Sequence, residues 1–254
     1  MIPRLLTLLL LACPLPPSPQ DAPGKVRVLI LTGSNNHDWK QTTPKMKEIL
    51  EASGKFAVET AVPPEGITAE NIRRFDAILS NWNSWGKDPK KAEEWPEGAR
   101  AAYLDFVRGG KGHVTVHAGG SSFYQGWPEY RKVSLVYWDL KNTRHGQKHS
   151  FKVRVDRPDH PVTKGLGEFM QQDELWNAPG VAEGCTVLAS SYSDPAVAKG
   201  TGQWEPAVVA AAYGKGRCLA TLLGHDAGDM KGREFQRILV RGTEWAATGS
   251  VTGD

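Results

Sequence analysis

The chain has 254 residues, 40% hydrophobic and 23% charged, a globular composition that excludes a disordered or fibrous protein. Its 31 Lys and Arg against 28 Asp and Glu leave a formal charge of +3, too slight for a nucleic-acid track or an anionic membrane surface as the main partner. Three Cys cannot make a disulfide scaffold, no 18-residue apolar run exists to span a bilayer, and nine Trp are the unusual feature.

Arg4 precedes an apolar run from Leu5 to Ala12, the charged-then-apolar order of a bacterial export signal. Ala12-Cys13 resembles the lipobox at which bacterial lipoproteins are cut and acylated, and the five prolines between Pro14 and Gly24 suit a stiff spacer. Residues 1–24 are therefore expected to be an export segment and spacer, and residues 25–250 one domain. The expected location is the periplasm or, through an acyl chain on Cys13, the membrane surface, with an ordinary export signal as the alternative.

Val26 to Leu31 reads as a buried strand delivering the polar loop Gly33-Ser34-Asn35-Asn36. Thr43 and Pro44 predict an N-cap and first helical position, with Met46, Ile49 and Leu50 on one apolar stripe and Gly54 closing the helix. Strands follow at Phe56–Thr60, Asp76–Ser80 and His113–Val116, with a helix opening at Pro96 between the last two. This alternation is that of right-handed crossovers in a parallel sheet covered on both faces, an α/β domain. Residues 127–142 are aromatic-rich, Ser150–Asp156 alternates like a strand, and Asp159-His160-Pro161 is a turn. Cys185–Ser190, Ala207–Tyr213 and Arg217–Leu223 read as strands, the last two a hairpin around Gly214-Lys215-Gly216, before a closing helix from about Arg233 to Trp245.

Ligands of open parallel sheets bind beyond the carboxyl ends of the strands. Those ends deliver His37-Asp38-Trp39, then Asn81, Trp82 and Trp85, then His117-Ala118-Gly119-Gly120, and finally Gly224-His225-Asp226. The turn after the fourth strand has the small residues of a nucleophile elbow but no nucleophile. Cys185 and Cys218 lie in apolar strand patterns, which excludes glutamine amidotransfer, and Ser121 and Ser122 follow the glycines instead of sitting between them, which argues against a serine hydrolase. Histidine chemistry remains. The loop tryptophans, with Trp127, suit the apolar faces of sugars, or else they cover the core. His113 and His160 read as structural, Lys45, Lys47, Lys87, Lys90 and Lys91 as solvated charges, and Cys185 and Cys218 as small apolar residues that pair only if their strands are neighbours.

Five stretches carry a family resemblance: LILTGSNNH from Leu29, GKGHVTVHAG from Gly110, Asp159-His160-Pro161-Val162-Thr163 with Gly165-Leu166, Asp173-Glu174-Leu175-Trp176, and Gly214-Lys215-Gly216-Arg217 leading to Leu223-Gly224-His225. In this order the chain resembles the ThuA-like (trehalose-utilisation) proteins. The resemblance implies a three-layer, flavodoxin-like, class I glutamine amidotransferase-like fold with a mostly parallel central sheet, and a role in carbohydrate metabolism. It also implies that His37, His117, Glu174 and His225, with His145 a weaker match, are the recurrent polar positions.

The expected catalytic set is His117, His225 and Glu174, with His117 or His225 as base. The expected substrate contacts are His37, Asp38, Trp39, Asn81, Trp82, Trp85, Gly119 and His145. His37, His117 and His225 suit a divalent metal such as zinc, although no local HExxH-type spacing supports one. The expected function is cleavage or rearrangement of a keto-sugar glycoside by histidine acid/base chemistry on a small carbohydrate, without nucleic acid, and with membrane contact only through an anchor at Cys13. A non-catalytic carbohydrate-binding or scaffold domain is the alternative.

Overall fold

In the computed structural model, which describes residues 24–85, 95–121, 126–197 and 199–253, the run Val26–Leu31 forms β1. The export segment with Cys13, and Lys87, Lys90, Lys91 and Ser122, lie outside the described residues. Helix α1 (Trp39–Ala52), β2 (Phe56–Ala61), α2 (Ala69–Ile72), β3 (Ala77–Ser80), α3 (Glu97–Arg108) and β4 (Gly112–Val116) follow. After these come α4 (Arg131–Ser134), β5 (Val136–Tyr137), β6 (Arg144–His145), β7 (His149–Val155), β8 (Phe169–Asp173), β9 (Trp176–Asn177) and β10 (Gly180–Val181). The chain ends with β11 (Thr186–Tyr192), β12 (Trp204–Tyr213), β13 (Gly216–Thr221) and α5 (Arg233–Thr248). No described helix is long and apolar enough to cross a membrane.

A nine-stranded sheet runs β2-β1-β3-β4-β13-β12-β11-β7-β8. Every pair from β2 to β13 is parallel, and every pair from β13 to β8 is antiparallel. The short strands pair as β5 with β10 and β6 with β9.

The three layers follow from strand alternation. Val28 and Ile30 of β1 face a core built with Met46, Ile49 and Leu50 of α1 and Phe235, Ile238 and Leu239 of α5. Leu29 and Leu31 face the opposite core, with Tyr103, Phe106 and Val107 of α3. Covered on both faces, β3 and β4 are buried throughout, the polar His113 and Thr115 of β4 and Ser80 of β3 included.

Helix α1 departs from expectation by starting at Trp39, which puts Pro44 inside it. The Asp38 carbonyl accepts from the amides of Gln41 and Thr42, both at 3.0 Å, and so begins the helix a turn earlier. Thr43 is not its cap: its hydroxyl shares a hydrogen bond with that of Thr32 at 2.7 Å and accepts from Asn81 Nδ2 at 2.9 Å. Cys185 and Cys218 are both free, because β12 lies between the strands that would have to be neighbours. His113 is fully buried, its Nε2 sharing a hydrogen bond with the Tyr103 hydroxyl at 2.8 Å. His160 packs its ring on Trp245.

The expected elbow is present. His117, the first residue past β4, adopts φ +42°, a left-handed conformation rare outside glycine and a mark of local strain. The chain then passes so close to its neighbours that a Cβ on Gly119 would sit 2.2 Å from the Ser80 carbonyl oxygen, and one on Gly120 2.8 Å from that of Val136. Gly119 is thus a packing requirement of the turn, and it is not among the residues lining the cavity beside His37 and His225. Gly119→Ala should destabilise the fold by roughly 2–4 kcal/mol, read as a fall in melting temperature of several degrees; an unchanged melting temperature would contradict this tight approach.

Candidate active site

Three strand ends of the parallel half, β1, β3 and β4, are tied together by one side chain. Asn83, fully buried past β3, donates from Nδ2 to Asn35 Oδ1 at 2.8 Å, Asn36 Oδ1 at 2.9 Å and the Ala118 carbonyl at 3.1 Å. Asn35 spends its own amide nitrogen on the Asn81 carbonyl at 3.0 Å, which turns its oxygen toward His37. That oxygen accepts from the His37 backbone at 2.9 Å and from Nδ1 at 3.1 Å, leaving Nε2 as the ring's lone-pair nitrogen.

The elbow places His117 similarly. Its Nδ1 donates to the Leu222 carbonyl at 2.6 Å, and its Nε2 is buried without a hydrogen bond. The third imidazole is set by Asp173 at the end of β8. The Asp173 carboxylate accepts from the amides of Gly224 at 2.7 Å, His225 at 3.1 Å and Glu174 at 2.9 Å, and from Gln171 Nε2 at 3.2 Å. It is a clamp that fixes His225 and Glu174 relative to each other.

The rings of His37, His117 and His225 lie 4.5–5.2 Å apart, centre to centre and edge to face. Glu174 faces two of them, and His145 besides, in ion-pair geometry: Oε1 is 3.5 Å from His117 Nε2, and Oε2 is 3.6 Å from His225 Nε2 and 3.0 Å from His145 Nδ1. Trp176 Nε1 donates to Oε1 at 3.2 Å. Lys148 pairs with Asp226 and, at 2.7 Å, with Asp229, beside the other edge of His225.

Crowding of like groups divides the charge unequally. Burial, with the neighbouring His117 and His225, depresses His37 to about 3. Burial and His117 also lower His225. Burial would lower His117 too, but Glu174 and Asp173 outweigh it and raise its pKa. Burial opposes ionisation of Glu174, yet His117, His145 and His225 hold its carboxyl at about 2. Burial lifts Asp173 above the usual carboxylate range in spite of its four donors. In the absence of a bound ion the crowding thus favours the protonated form of His117 and the ionised form of Glu174, and the neutral forms of His37 and His225.

Above this cluster lies a cavity of about 400 Å³, within the range of small-ligand sites. His37, His225, Glu174 and His145 line it together with Trp85, Trp138 and Trp176. The Trp138 ring packs edge to face against Trp85 at 5.5 Å, Trp176 at 5.1 Å and His145 at 5.6 Å. Asp38 and Asn36 complete the lining.

The expected residues His37, His117, Glu174, His225, His145, Asp38 and Trp85 are therefore brought together, with His117 behind the cavity wall. Others are not. Trp82 is 1% exposed and packs on Trp95 in the α3-side core, and Trp127 is also buried there. Asn81 is buried, its amide donating to the Thr42 and Thr43 hydroxyls at 3.0 and 2.9 Å. Trp39 lines a separate hollow with Lys40 and Pro44. Sequence reasoning misses Trp138 and Trp176, the Asn83–Asn35 tie and the Asp173 clamp as parts of the site. The aromatic-rich 127–142 segment is the available signal for Trp138, and proximity to Glu174 for Trp176.

Asn83→Ala would leave the partners of a buried amide unpaired, at a cost of about 1–3 kcal/mol in urea denaturation. Unchanged stability would mean that the three loops are held by other contacts.

Comparison with known proteins gives a consistent picture. The family profile described as trehalose utilisation, ThuA, matches residues 27–246. A ThuA-like protein from Parabacteroides merdae is 29% identical with a TM-score of 0.80, the match covering 91% of this chain and 92% of that one. A ThuA-like protein from Bacteroides uniformis is 18% identical with a TM-score of 0.66, covering 94% and 98%. A candidate GMP synthase component from Thermoplasma acidophilum, 11% identical with a TM-score of 0.53 and covering 89% and 95%, shares the fold. No curated protein matches. With the profile spanning nearly all of the folded domain, the chain belongs to the ThuA, or trehalose-utilisation, family.

Proposed function

We propose that this protein is an enzyme of carbohydrate metabolism that cleaves or rearranges a keto-sugar glycoside by histidine acid/base chemistry in the tryptophan-walled cavity. The observation that carries the reading is the convergence of four imidazoles and Glu174 beside three indole rings, at an elbow whose first residue is His117 in place of a thiol or hydroxyl. Membership of a family named for trehalose utilisation supports a sugar substrate. Indole faces stack on the C–H faces of a pyranose, while Asp38, Asn36 and the imidazoles meet its hydroxyl rim. The signal-like segment from Arg4 to Cys13 supports export, to the periplasm or to a lipid-tethered site.

A carbonyl acidifies the C–H bond beside it. A base removes that proton, the electron pair moves onto the carbonyl oxygen as an enolate, and collapse of the enolate breaks the C–O bond to the aglycone one carbon further on. The departing oxygen takes up a proton. The products are an unsaturated keto sugar and an alcohol, and no nucleophile or redox partner is consumed.

His145 suits the base. Its Nδ1 faces Glu174 Oε2 at 3.0 Å and the Gly146 carbonyl at 2.9 Å, which leaves Nε2 of a cavity-lining ring for the substrate. His117, expected from sequence as a base, does not line the cavity, and its Nδ1 is committed to Leu222. It stands behind the cavity wall, facing Glu174 Oε1 at 3.5 Å. His225, the other expected base, lines the cavity with His37 and faces Glu174 Oε2 at 3.6 Å.

Purified protein given an aryl glycoside of a 3-keto sugar should release the phenol. His145→Ala should lower kcat by roughly 10²–10⁴-fold with little change in KM, and Trp138→Ala should chiefly raise KM. Full activity of His145→Ala would overturn the assignment of the base. Saturable sugar binding without turnover of any keto-glycoside would replace the enzyme with a carbohydrate-binding domain.

A further inference from the structure

The buried Nε2 of His117 makes no hydrogen bond, although its side chain is only 2% exposed. An orphaned buried nitrogen of this kind is unfavourable by about 1–3 kcal/mol, and its nearest ionic neighbour, Glu174 Oε1, stands off at 3.5 Å. The same region is faced by His37, whose Nδ1 is spent on Asn35, and by His225, whose Nε2 is 3.6 Å from Glu174 Oε2. One donor atom from each of His37, His117, Glu174 and His225 lies within 4.8 Å of all the others.

We infer that these four side chains hold one divalent first-row cation, zinc foremost, with His37, His117 and His225 as nitrogen ligands and Glu174 as the oxygen ligand. Zinc–nitrogen bonds of about 2.0–2.1 Å make a tetrahedron with edges of roughly 3.3 Å. Rings and carboxylate therefore need to draw in by about 1.5 Å at most, which side-chain torsions can supply without moving the strands. Two of the three imidazoles already show the accompanying feature of metal-bound histidine, an Nδ1–H donated to an oxygen that fixes the ring and leaves Nε2 basic: Leu222 O for His117 and Asn35 Oδ1 for His37. The fourth ligand is supported too, because Glu174 Oε2 is paired with His145 and Trp176 Nε1 donates to Oε1.

The donor set selects the ion. Three nitrogens and one oxygen are too nitrogen-rich for calcium or magnesium, and the absence of sulfur from this set disfavours copper(I). The neighbouring group of His225, Asp226 and Asp229 is a poorer candidate, since the ammonium of Lys148 already sits between its two carboxylates. The positions of His37, His225 and Glu174 on the cavity lining place the ion where a sugar oxygen can reach it. The ion's role rests on the proposed sugar site, whereas its geometry does not, and metal binding is read without any sugar present.

The experiment is metal analysis of untagged full-length protein, stripped with a chelator and reloaded with Zn²⁺, Co²⁺ or Mn²⁺, with zinc affinity measured by competition against a chromophoric chelator. One equivalent per chain is expected, with affinity weakened about 100-fold or more in His37→Ala, His225→Ala and Glu174→Gln, and with His149→Ala, outside the cluster, binding like the parent. Far-UV circular dichroism of each variant guards against a misfolded protein, and Glu174→Gln, nearly isosteric, is the decisive variant if an alanine variant fails to fold. A parent protein that binds none of the three ions, or one whose zinc affinity survives all three substitutions, would overturn the inference. If the stripped protein still turns over a keto-glycoside undiminished while binding no metal, the ion is refuted and the sugar reading stands.

Discussion

The hydrogen bond from His117 Nδ1 to the Leu222 carbonyl, 2.6 Å long and buried, is the constraint on which the site depends. It links the elbow after β4 to the residue just past β13, the two central parallel strands, and it decides which nitrogen of the ring is basic. A left-handed residue at this turn would otherwise be a liability. Here the strain is held by buried neighbours on both sides, Ser80 and Val136 against the two glycines. The fold supplies the same device that presents a nucleophile in related architectures, and this chain presents an imidazole with it.

Around that ring each remaining group is placed by a backbone-directed clamp. Asn83 gathers three loops, Asn35 passes that order to His37, and Asp173 converts four donors into a fixed spacing between Glu174 and His225. Such a network is satisfied almost throughout, and the exceptions are instructive. The orphaned Nε2 of His117 lies where the site faces its ligands, as buried polar groups left unpaired in a native structure often do, while the orphaned Nδ1 of His225 faces Asp226 and Asp229. Electrostatics follow from the same crowding: without a bound ion, charge is favoured on His117 and Glu174 and disfavoured on His37 and His225.

Much of this is legible in the residues. VRVLIL before TGSNNH marks β1 and its loop, and Gly214-Lys215-Gly216 marks the β12–β13 hairpin, because strand burial and turn chemistry are local signals. The convergence of His37, His117 and His225 follows from strand ends sharing one edge of a parallel sheet. What sequence reasoning misses depends on distant packing. Thr43-Pro44 mimics a helix start, yet Asp38 begins the helix earlier. Trp82 and Trp85 stand three residues apart in one loop, and only the position of Trp95 against the first decides that Trp82 is core and Trp85 cavity wall. The pairing of His145 with Glu174 rests on two-residue strands, β6 against β9, too short to leave any periodicity in the sequence.

The central claim is that His37 and His117 are locked through Nδ1 so that both Nε2 lone pairs face a common centre. It is tested most directly by ¹⁵N NMR of histidine-labelled, metal-free protein, with the pH raised until the His37 and His117 ring nitrogens no longer titrate. The account predicts the Nδ1–H tautomer for both, with hydrogen-bonded Nδ1 protons slow to exchange with solvent. An Nε2–H tautomer at either residue, or freely exchanging ring protons, would contradict it.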